Sequence, residues 1–431
     1  MKKSKAYRST EVKNVELESV IAKASGVVVV GTDVGKFDIL ATVRFSDGSR
    51  ERPWKVKNPS QIEFFVRLLE RLSEHCPVTV AMESTGTYGD PLRAELASVG
   101  IPVVRVSGKA SNDYAEILDG VPSQHDGKDS AVVAELAAFG KATPWPYESR
   151  SEADAEMAYW AGKMDDQQRL QNFWLGNVEA TLARSWPELS RLLPLNSVTL
   201  LSLVAHYGGP AALLADPDAR RRLQQWGRGS LKNTTLDEIL ASAATSCGAP
   251  QSAYEIKAAQ DYAQSALAAR RETKAAQARM EELGRKNEVI SRMAEAVGMV
   301  TACVLWVLLG DPNDYHCGEA YRKAMGLNLK ERSSGRHRGQ VKITKRGPAM
   351  VRRWLYLAAL RTVQDAEVVG WYQAKKAKDK GRGKGGLVAV MRKLALALHA
   401  TARGETFDAR RLFPGKPWIT RLDNAPAAVE V

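Results

Sequence analysis

The feature that most constrains the fold of this chain is the stretch VVVVGTDVGKFDIL, residues 27–40, in which four valines lead through a glycine to Asp33. A short unbroken run of β-branched residues is typical of a strand that is buried on both faces. Gly31 and Gly35 stand on either side of the aspartate and keep bulky side chains away from it. The stretch therefore predicts a central strand that carries a carboxylate at its end, where α/β sheets hold their ligands.

The residues that follow this strand alternate between strand and helix patterns up to about residue 148. The segments ILATVRF and RERPWKV flank the turn SDGS and predict a hairpin. Apolar residues at helical and strand spacing then continue the order to β-β-β-α-β-α-β, and the helix GKDSAVVAELAAFGK closes the unit. Residues 26–148 are thus predicted to form an α/β domain on a mixed sheet, preceded by a basic tail at residues 1–25.

The rest of the chain is predicted to be almost entirely helical. Residues 149–290 form a helical linker in which residues 251–290 could be one long amphipathic helix or coiled coil, suited to pairing in an oligomer. Residues 291–415 form a second, mostly α-helical domain with basic, glycine-containing loops, and residues 416–431 form a tail. The sequence contains no internal repeat.

The charge of the chain favours a polyanionic partner, because 62 lysines and arginines face 49 acids and give a formal charge of +13. Nucleic acid and an anionic membrane surface both fit such a charge. The longest apolar run, VTACVLWVLLG, is too short to span a bilayer, and no signal peptide precedes it, so we expect a cytoplasmic protein without a membrane partner. The four cysteines are far apart, which argues against a zinc site or a disulfide framework.

Four carboxylates occupy positions that this topology brings together. Asp33 and Glu83 each end a predicted strand, and Asp126 and Asp129 share one helix face at i and i+3. Such anions repel one another unless a divalent cation lies between them, and Mg²⁺ prefers carboxylate oxygens. Two such ions can activate an attacking oxygen and stabilise a leaving one in phosphodiester cleavage.

The same four acids also fit simpler structural roles. Each of them alone could be an ordinary turn, capping or strand-end residue. The segment GTDVGKFD is also similar to the first phosphate loop of the actin-like sugar kinases. However, the chain contains no second glycine-rich phosphate loop, and its positive charge favours a polymer over a nucleotide.

A basic stretch in the second domain contains a candidate nucleophile. Nine lysines and arginines lie between Lys330 and Arg353, and Ser334 precedes a glycine in their midst. A serine needs a base or a metal to become nucleophilic, so the segment could equally be a phosphate-binding loop. Basic side chains that neutralise phosphates release counterions, and the candidates here are Arg332, Arg336, Arg338, Lys342, Lys345, Arg346, Arg352 and Lys384.

From about residue 27 to residue 415 the chain resembles the insertion-sequence-110 family of DEDD transposases. The resemblance is carried by GTDVGKFD, VAMESTGTY, HDGKDS, AYRKAMGLNLKERSSG, ITKRGPAMVRRWLYLAAL and GGLVAVMRKLA. It implies an N-terminal domain of the RNase H or RuvC type and a C-terminal transposase domain. It also implies that Ser334, or the adjacent Ser333, attacks DNA to form a phosphoserine link, and that Mg²⁺ is held by Asp33, Glu83, Asp126 and Asp129.

The resemblance further implies partners and a setting. Family members look like bacterial recombinases that a bridge RNA guides to donor and target DNA, and they act as homo-oligomers, dimers or tetramers, at the nucleoid. The chain departs from the family pattern at Pro348, where asparagine is usual, and at Ser130, where alanine is common. Two alternatives remain, namely a RuvC-like nuclease or junction resolvase that uses water, and a non-catalytic nucleic-acid-binding protein.

Overall fold

The valine-rich stretch forms the central strand of a seven-stranded sheet in the computed structural model, which describes residues 7–83, 86–120, 126–147, 150–331, 341–378 and 381–414. The strands are β1 (Thr10–Glu11), β2 (Val28–Val34), β3 (Asp38–Arg44), β4 (Trp54–Lys57), β5 (Val78–Glu83), β6 (Val103–Val106) and β7 (Ala142–Pro144). They lie in the order β1-β4-β3-β2-β5-β6-β7. Strand β2 runs antiparallel to β3 and parallel to β5, so the predicted mixed α/β sheet is confirmed.

The two faces of β2 enter different apolar cores, because successive side chains of a strand point to opposite sides. Val28, Val30 and Val34 pack into the larger core of this unit. Val29 packs on the other face, into a smaller cluster with Val132 and Val133 of the helix that begins at Asp126. Asp33 shares the parity of Val29, so it lies on the face that this helix covers.

Five helices complete the N-terminal unit, Met1–Ser149. They are α1 (Leu17–Lys23), α2 (Ile62–Ser73), α3 (Asp90–Ser98), α4 (Gly108–Asp119) and α5 (Asp126–Ala138). Helices α2, α3 and α5 follow the sequence prediction, whereas α4 and β7 were not predicted. Helix α4 buries only Ser111 among its residues, and β7 has three residues at the sheet edge, so neither has a strong apolar pattern.

The assignment of residues 1–25 to a tail needs correction for the residues that the structure describes. Strand β1 pairs with β4, and α1 follows it after a single 3-10 turn. Val12, Leu17 and Val20 are buried in the larger core. These apolar residues are few and widely spaced among charged ones, so their burial depends on the sheet that they pack against.

The second unit, Arg150–Val431, is helical apart from one short hairpin within its described residues. Its first group of helices is α6 (Glu152–Ser185), α7 (Leu189–Leu192), α8 (Val198–Tyr207), α9 (Pro210–Leu214), α10 (Ala219–Gly227), α11 (Asn233–Ala244) and α12 (Ala253–Arg285). The two longest, α6 and α12, pack against each other, so the long helix predicted in residues 251–290 has a partner within the chain.

The second group of helices in this unit packs around one large apolar core that includes Tyr321, Leu355 and Leu394. These helices are α13 (Glu288–Val297), α14 (Met299–Leu309), α15 (Gly318–Ala324), α16 (Ala349–Thr362), α17 (Ala366–Lys378), α18 (Lys384–Ala402) and α19 (Ala409–Leu412). A two-stranded hairpin, β8 (Leu329–Lys330) and β9 (Lys342–Ile343), interrupts them. None of the helices in the described ranges combines the length and apolarity needed to cross a bilayer.

Candidate active site

The four predicted acids lie on one side of the sheet in the N-terminal unit. Thr32 of β2 is paired with Met82 of β5, so Asp33 and Glu83 are the next residues of two adjacent parallel strands. Asp126 and Asp129 lie in the first turn of α5, which covers this face. The topology that the sequence predicts therefore brings three separate chain segments to the carboxyl end of the sheet.

Three of the four carboxylates meet closely. One carboxylate oxygen from each of Asp33, Asp126 and Asp129 lies within 4.8 Å of the corresponding oxygens of the other two. Asp126 is exposed, while the other two are half-buried. The group offers only oxygen ligands.

Glu83 lies beside this group but not in it. Its Oε1 packs against Gly108 at the start of α4, where a built Cβ would approach it to 2.3 Å. The missing side chain of Gly108 therefore makes room for the glutamate. The charge of Glu83 still acts on the group, because it contributes to the raised pKa of Asp33.

The pKa of Asp33 is raised by this arrangement. Burial, followed by repulsion from Asp129, Asp126 and Glu83, raises its pKa from 3.8 to about 6. Both causes act against the charged form. A cation between the acids would remove the repulsion and favour the ionised carboxylate.

Helix α5 approaches the sheet closely because β2 has no side chain at Gly31. A Cβ at this position would lie 2.2 Å from the carbonyl oxygen of Ser130 and 2.3 Å from the amide nitrogen of Ala134. The Ser130 hydroxyl also hydrogen-bonds the Thr42 hydroxyl of β3 at 2.7 Å, and both residues are buried. Ser130 therefore holds α5 on the sheet.

Two ion pairs strengthen the attachment of α5. Glu135 accepts a hydrogen bond from Nε of Arg44, with 2.8 Å between the atoms, which ties the helix to β3. Lys128 is fully buried, and its Nζ lies 2.6 Å from Oδ1 of Asp119 at the end of α4. Because buried charges are costly unless paired, this second contact couples the first turn of α5 to α4.

The donor set of the group fits a hard divalent cation. Mg²⁺ takes oxygen ligands and commonly binds through one or two carboxylates together with substrate phosphates. Asp33, Asp126 and Asp129 could hold such an ion directly, and Glu83 could join them through a change of its side-chain torsions. Burial and the neighbouring acids raise the pKa of Asp33, and a bound cation would offset the repulsion among these acids.

The raised pKa predicts how stability depends on pH without metal. Because Asp33 has a higher pKa in the folded state than its ordinary 3.8, the folded protein holds an extra proton between about pH 4 and pH 6. The free energy of unfolding in EDTA should therefore fall as pH rises through this window, by about 1 to 2 kcal/mol after screening by solvent. Urea denaturation of the wild type and of Asp33→Asn measures the difference, and equal pH profiles would contradict the expectation.

The predicted nucleic-acid-binding residues of the second unit divide into two groups. Arg332, Arg336 and Arg338 lie outside the described residues, and so do Ser334, the predicted nucleophile, and the adjacent Ser333. Four others are exposed: Lys342 lies on β9, Lys345 and Arg346 follow it, and Lys384 begins α18. Arg352 is the one described member of the set that is not exposed. The described residues include no acid that forms an ion pair with any of these four lysines and arginines.

Arg352 differs from the rest of the set. It is half-buried in α16, and its Nη1 donates to the carbonyl oxygen of Gly347 at 2.7 Å. Weaker contacts reach the carbonyls of Met325 and Pro348. The structure therefore uses this guanidinium to join the start of α16 to the end of α15.

Sequence reasoning passed over two other arginines of this unit, Arg322 on α15 and Arg392 on α18. Each has a buried Nε without a hydrogen-bond partner. Arg392 lies in an apolar helical pattern that predicts a core helix, so the sequence did not single it out. The only signal in the sequence was that Arg392 is a basic residue on a face of the predicted helix that is otherwise apolar.

Comparison with known families identifies both units. Residues 30–182 match a model of the IS110 type of DEDD transposase, described as a transposase. Residues 292–372 match a model described as the transposase IS116/IS110/IS902 family. No curated protein matches the chain significantly. The two matches cover the carboxylate group in the first unit and the basic hairpin in the second.

Proposed function

Because the chain belongs to the IS110 family of transposases and is therefore an enzyme that acts on DNA, we propose that it cuts and rejoins strands with Mg²⁺ and a serine nucleophile. The observation that carries the proposal is the meeting of Asp33, Asp126 and Asp129 within 4.8 Å. Glu83, on the neighbouring strand, completes the four acids. Bound Mg²⁺ supplies charge stabilisation at the scissile phosphate.

The acids have separate tasks in this proposal. Asp33 is held by the backbone of a central strand, so it is the most firmly placed ligand. Asp126 and Asp129 lie in the first turn of α5, whose position depends on Gly31, Ser130 and the Glu135 ion pair. The site is therefore preorganised by packing, as a group that must align a phosphodiester requires.

We assign the nucleophile to Ser334, on the basis of its basic surroundings in the sequence and the family resemblance. Its Oγ attacks a DNA phosphorus, and the bond from phosphorus to a deoxyribose oxygen breaks. The proton lost by the serine hydroxyl goes to the departing oxygen, which leaves as a deoxyribose hydroxyl. The reverse attack by a deoxyribose hydroxyl on the phosphoserine rejoins DNA and restores the serine. The exposed charges of Lys342, Lys345, Arg346 and Lys384 support binding of the phosphate backbone.

The resemblance also supports further parts of the proposal. A bridge RNA selects donor and target DNA, and the RuvC-like domain of one subunit activates the serine of another within a dimer or tetramer. The protein then works in the bacterial cytoplasm, bound to the nucleoid. The net charge of +13 suits a protein that binds two kinds of nucleic acid.

The test is to trap the covalent intermediate on end-labelled DNA in the presence of Mg²⁺, the co-purifying RNA and the full-length protein. We expect a protein–DNA species that resists denaturation and is absent in Ser334→Ala. Ser333→Ala, the neighbouring hydroxyl, is the matched control and should retain it. Cleavage without a covalent species, unchanged in Ser334→Ala, would identify a hydrolytic nuclease instead.

A further inference from the structure

We propose that Arg322 and Arg392 form a phosphate-binding pair that holds a phosphodiester of the DNA backbone. The pair lies on two packed helices of the second unit and does not belong to the predicted set of nucleic-acid-binding residues. The proposal rests on the DNA-processing function of the family. Both arginines lie in segments that carry the family resemblance, but the sequence alone assigns a role to neither of them.

The packing of α15 on α18 brings the two arginines together. Gly318 meets the side chains of Leu396 and His399, where a built Cβ would lie 3.3 Å from Cδ2 of Leu396. One helical turn further along α15 is Arg322, and one turn back along α18 is Arg392. The two helices pack against each other, and the charge of Arg322 acts on Arg392, so the two guanidinium groups lie near each other.

Neither guanidinium has a partner among the described residues. The Nε atoms of Arg322 and Arg392 are buried and make no hydrogen bond. Other arginines of the same unit are paired with acids, such as Arg279 with Glu156 and Arg410 with Glu367. An arginine pair that is half-buried and lacks any acid is costly, because two like charges repel and their donors lose water.

The electrostatics of the pair point to an anion. Burial and then the charge of Arg322 lower the pKa of Arg392. An anion bound between the two side chains would offset this repulsion. Arginine binds phosphate through two parallel N–H groups, so two arginines can hold both free oxygens of one phosphodiester.

The position of the pair favours DNA over a free anion. Helix α15 leads directly into β8, and β9 carries the exposed Lys342. A polyanion that contacts this hairpin can extend along α15, where Lys323 is also exposed. A single inorganic phosphate would gain nothing from these additional charges, whereas a nucleic-acid backbone would.

The test measures the salt dependence of binding to a double-stranded DNA probe in EDTA, so that neither the acids nor the serine is required. We expect Arg322→Gln and Arg392→Gln each to weaken binding about tenfold at low salt. Each should also reduce the slope of log K against log salt by about 0.9, and the double variant by about 2. Arg403→Gln, at the exposed end of α18, is the matched control.

Two further measurements distinguish a lost phosphate contact from unfolding of a variant and from binding of a different ligand. Arg322→Lys with Arg392→Lys keeps both charges and should retain most of the slope, which protects the test if a glutamine variant unfolds. A single-stranded RNA probe and competition by inorganic phosphate distinguish the source of the ligand. A slope on DNA equal to that of Arg403→Gln, or a change confined to RNA, would overturn the proposal whatever the outcome for strand cleavage.

Discussion

Asp33→Asn is expected to lower DNA strand cleavage by at least about 10³-fold, because a metal ligand supplies several kcal/mol of transition-state stabilisation. The variant should nevertheless fold. Asparagine has the same shape as aspartate, and it removes the charge that burial and the neighbouring Asp129 make unfavourable. We therefore expect the metal-free variant to be as stable as the wild type near neutral pH or more stable, while it loses activity.

Cleavage is measured on labelled DNA with Mg²⁺ and the full-length protein. The free energy of unfolding is measured by urea denaturation in EDTA. Asp113→Asn is the matched control, because it makes the same chemical change in an exposed ion pair with Lys109 on α4. Cleavage by Asp33→Asn within tenfold of the wild type would contradict the metal-site assignment. Loss of both activity and stability would instead indicate a structural role for the carboxylate.

Gly31→Ala is expected to have the largest effect on stability, a loss of about 3 kcal/mol in the free energy of unfolding. The added methyl group would lie 2.2 Å from the carbonyl oxygen of Ser130 and 2.3 Å from the amide nitrogen of Ala134. Both are backbone atoms of α5, so no side-chain rotation relieves the overlap. The helix must move away from β2, and Asp126 and Asp129 must move with it.

The same substitution at Gly162 is a suitable control. This glycine lies inside α6, and a Cβ built there meets no atom within 4 Å. Gly162→Ala should therefore stabilise the protein by about 0.5 to 1 kcal/mol, since alanine favours a helix. Chemical denaturation gives both values, and Mg²⁺ titration of Gly31→Ala at a temperature where it stays folded tests the site. Unchanged metal affinity would show that the close contact does not position the acids.

The acids were predictable because their positions follow from local patterns. The valine run ends at Asp33, PVTVAME ends at Glu83, and Asp126 and Asp129 are three residues apart at the start of a helix. Each pattern depends only on neighbouring residues, whose spacing determines strand or helix and which face is buried. The oxygen ligands of the proposed metal site follow from the same residues, because all four side chains are carboxylates.

Other parts of the fold were missed for a physical reason. Helix α4 has little apolar surface, and Gly108 at its start is explained only by the glutamate that packs against it. The β1 and α1 segments are charged, and they gain order from the sheet edge and core that they complete. Such elements depend on contacts with residues distant in sequence, which no local pattern records.

The sequence alone therefore determined the central strand, the mixed α/β order, the identity of the acids and the basic character of the second unit. Only the tertiary structure decided that Gly31 makes room for the close packing of α5 on β2. It also decided that three carboxylates meet, whereas the side chain of Glu83 packs against Gly108. It also brought Arg322 near Arg392, with no acid of the described residues paired to either. Periodicity encodes which side of an element is buried, whereas the distance between two remote side chains depends on how closely whole elements pack.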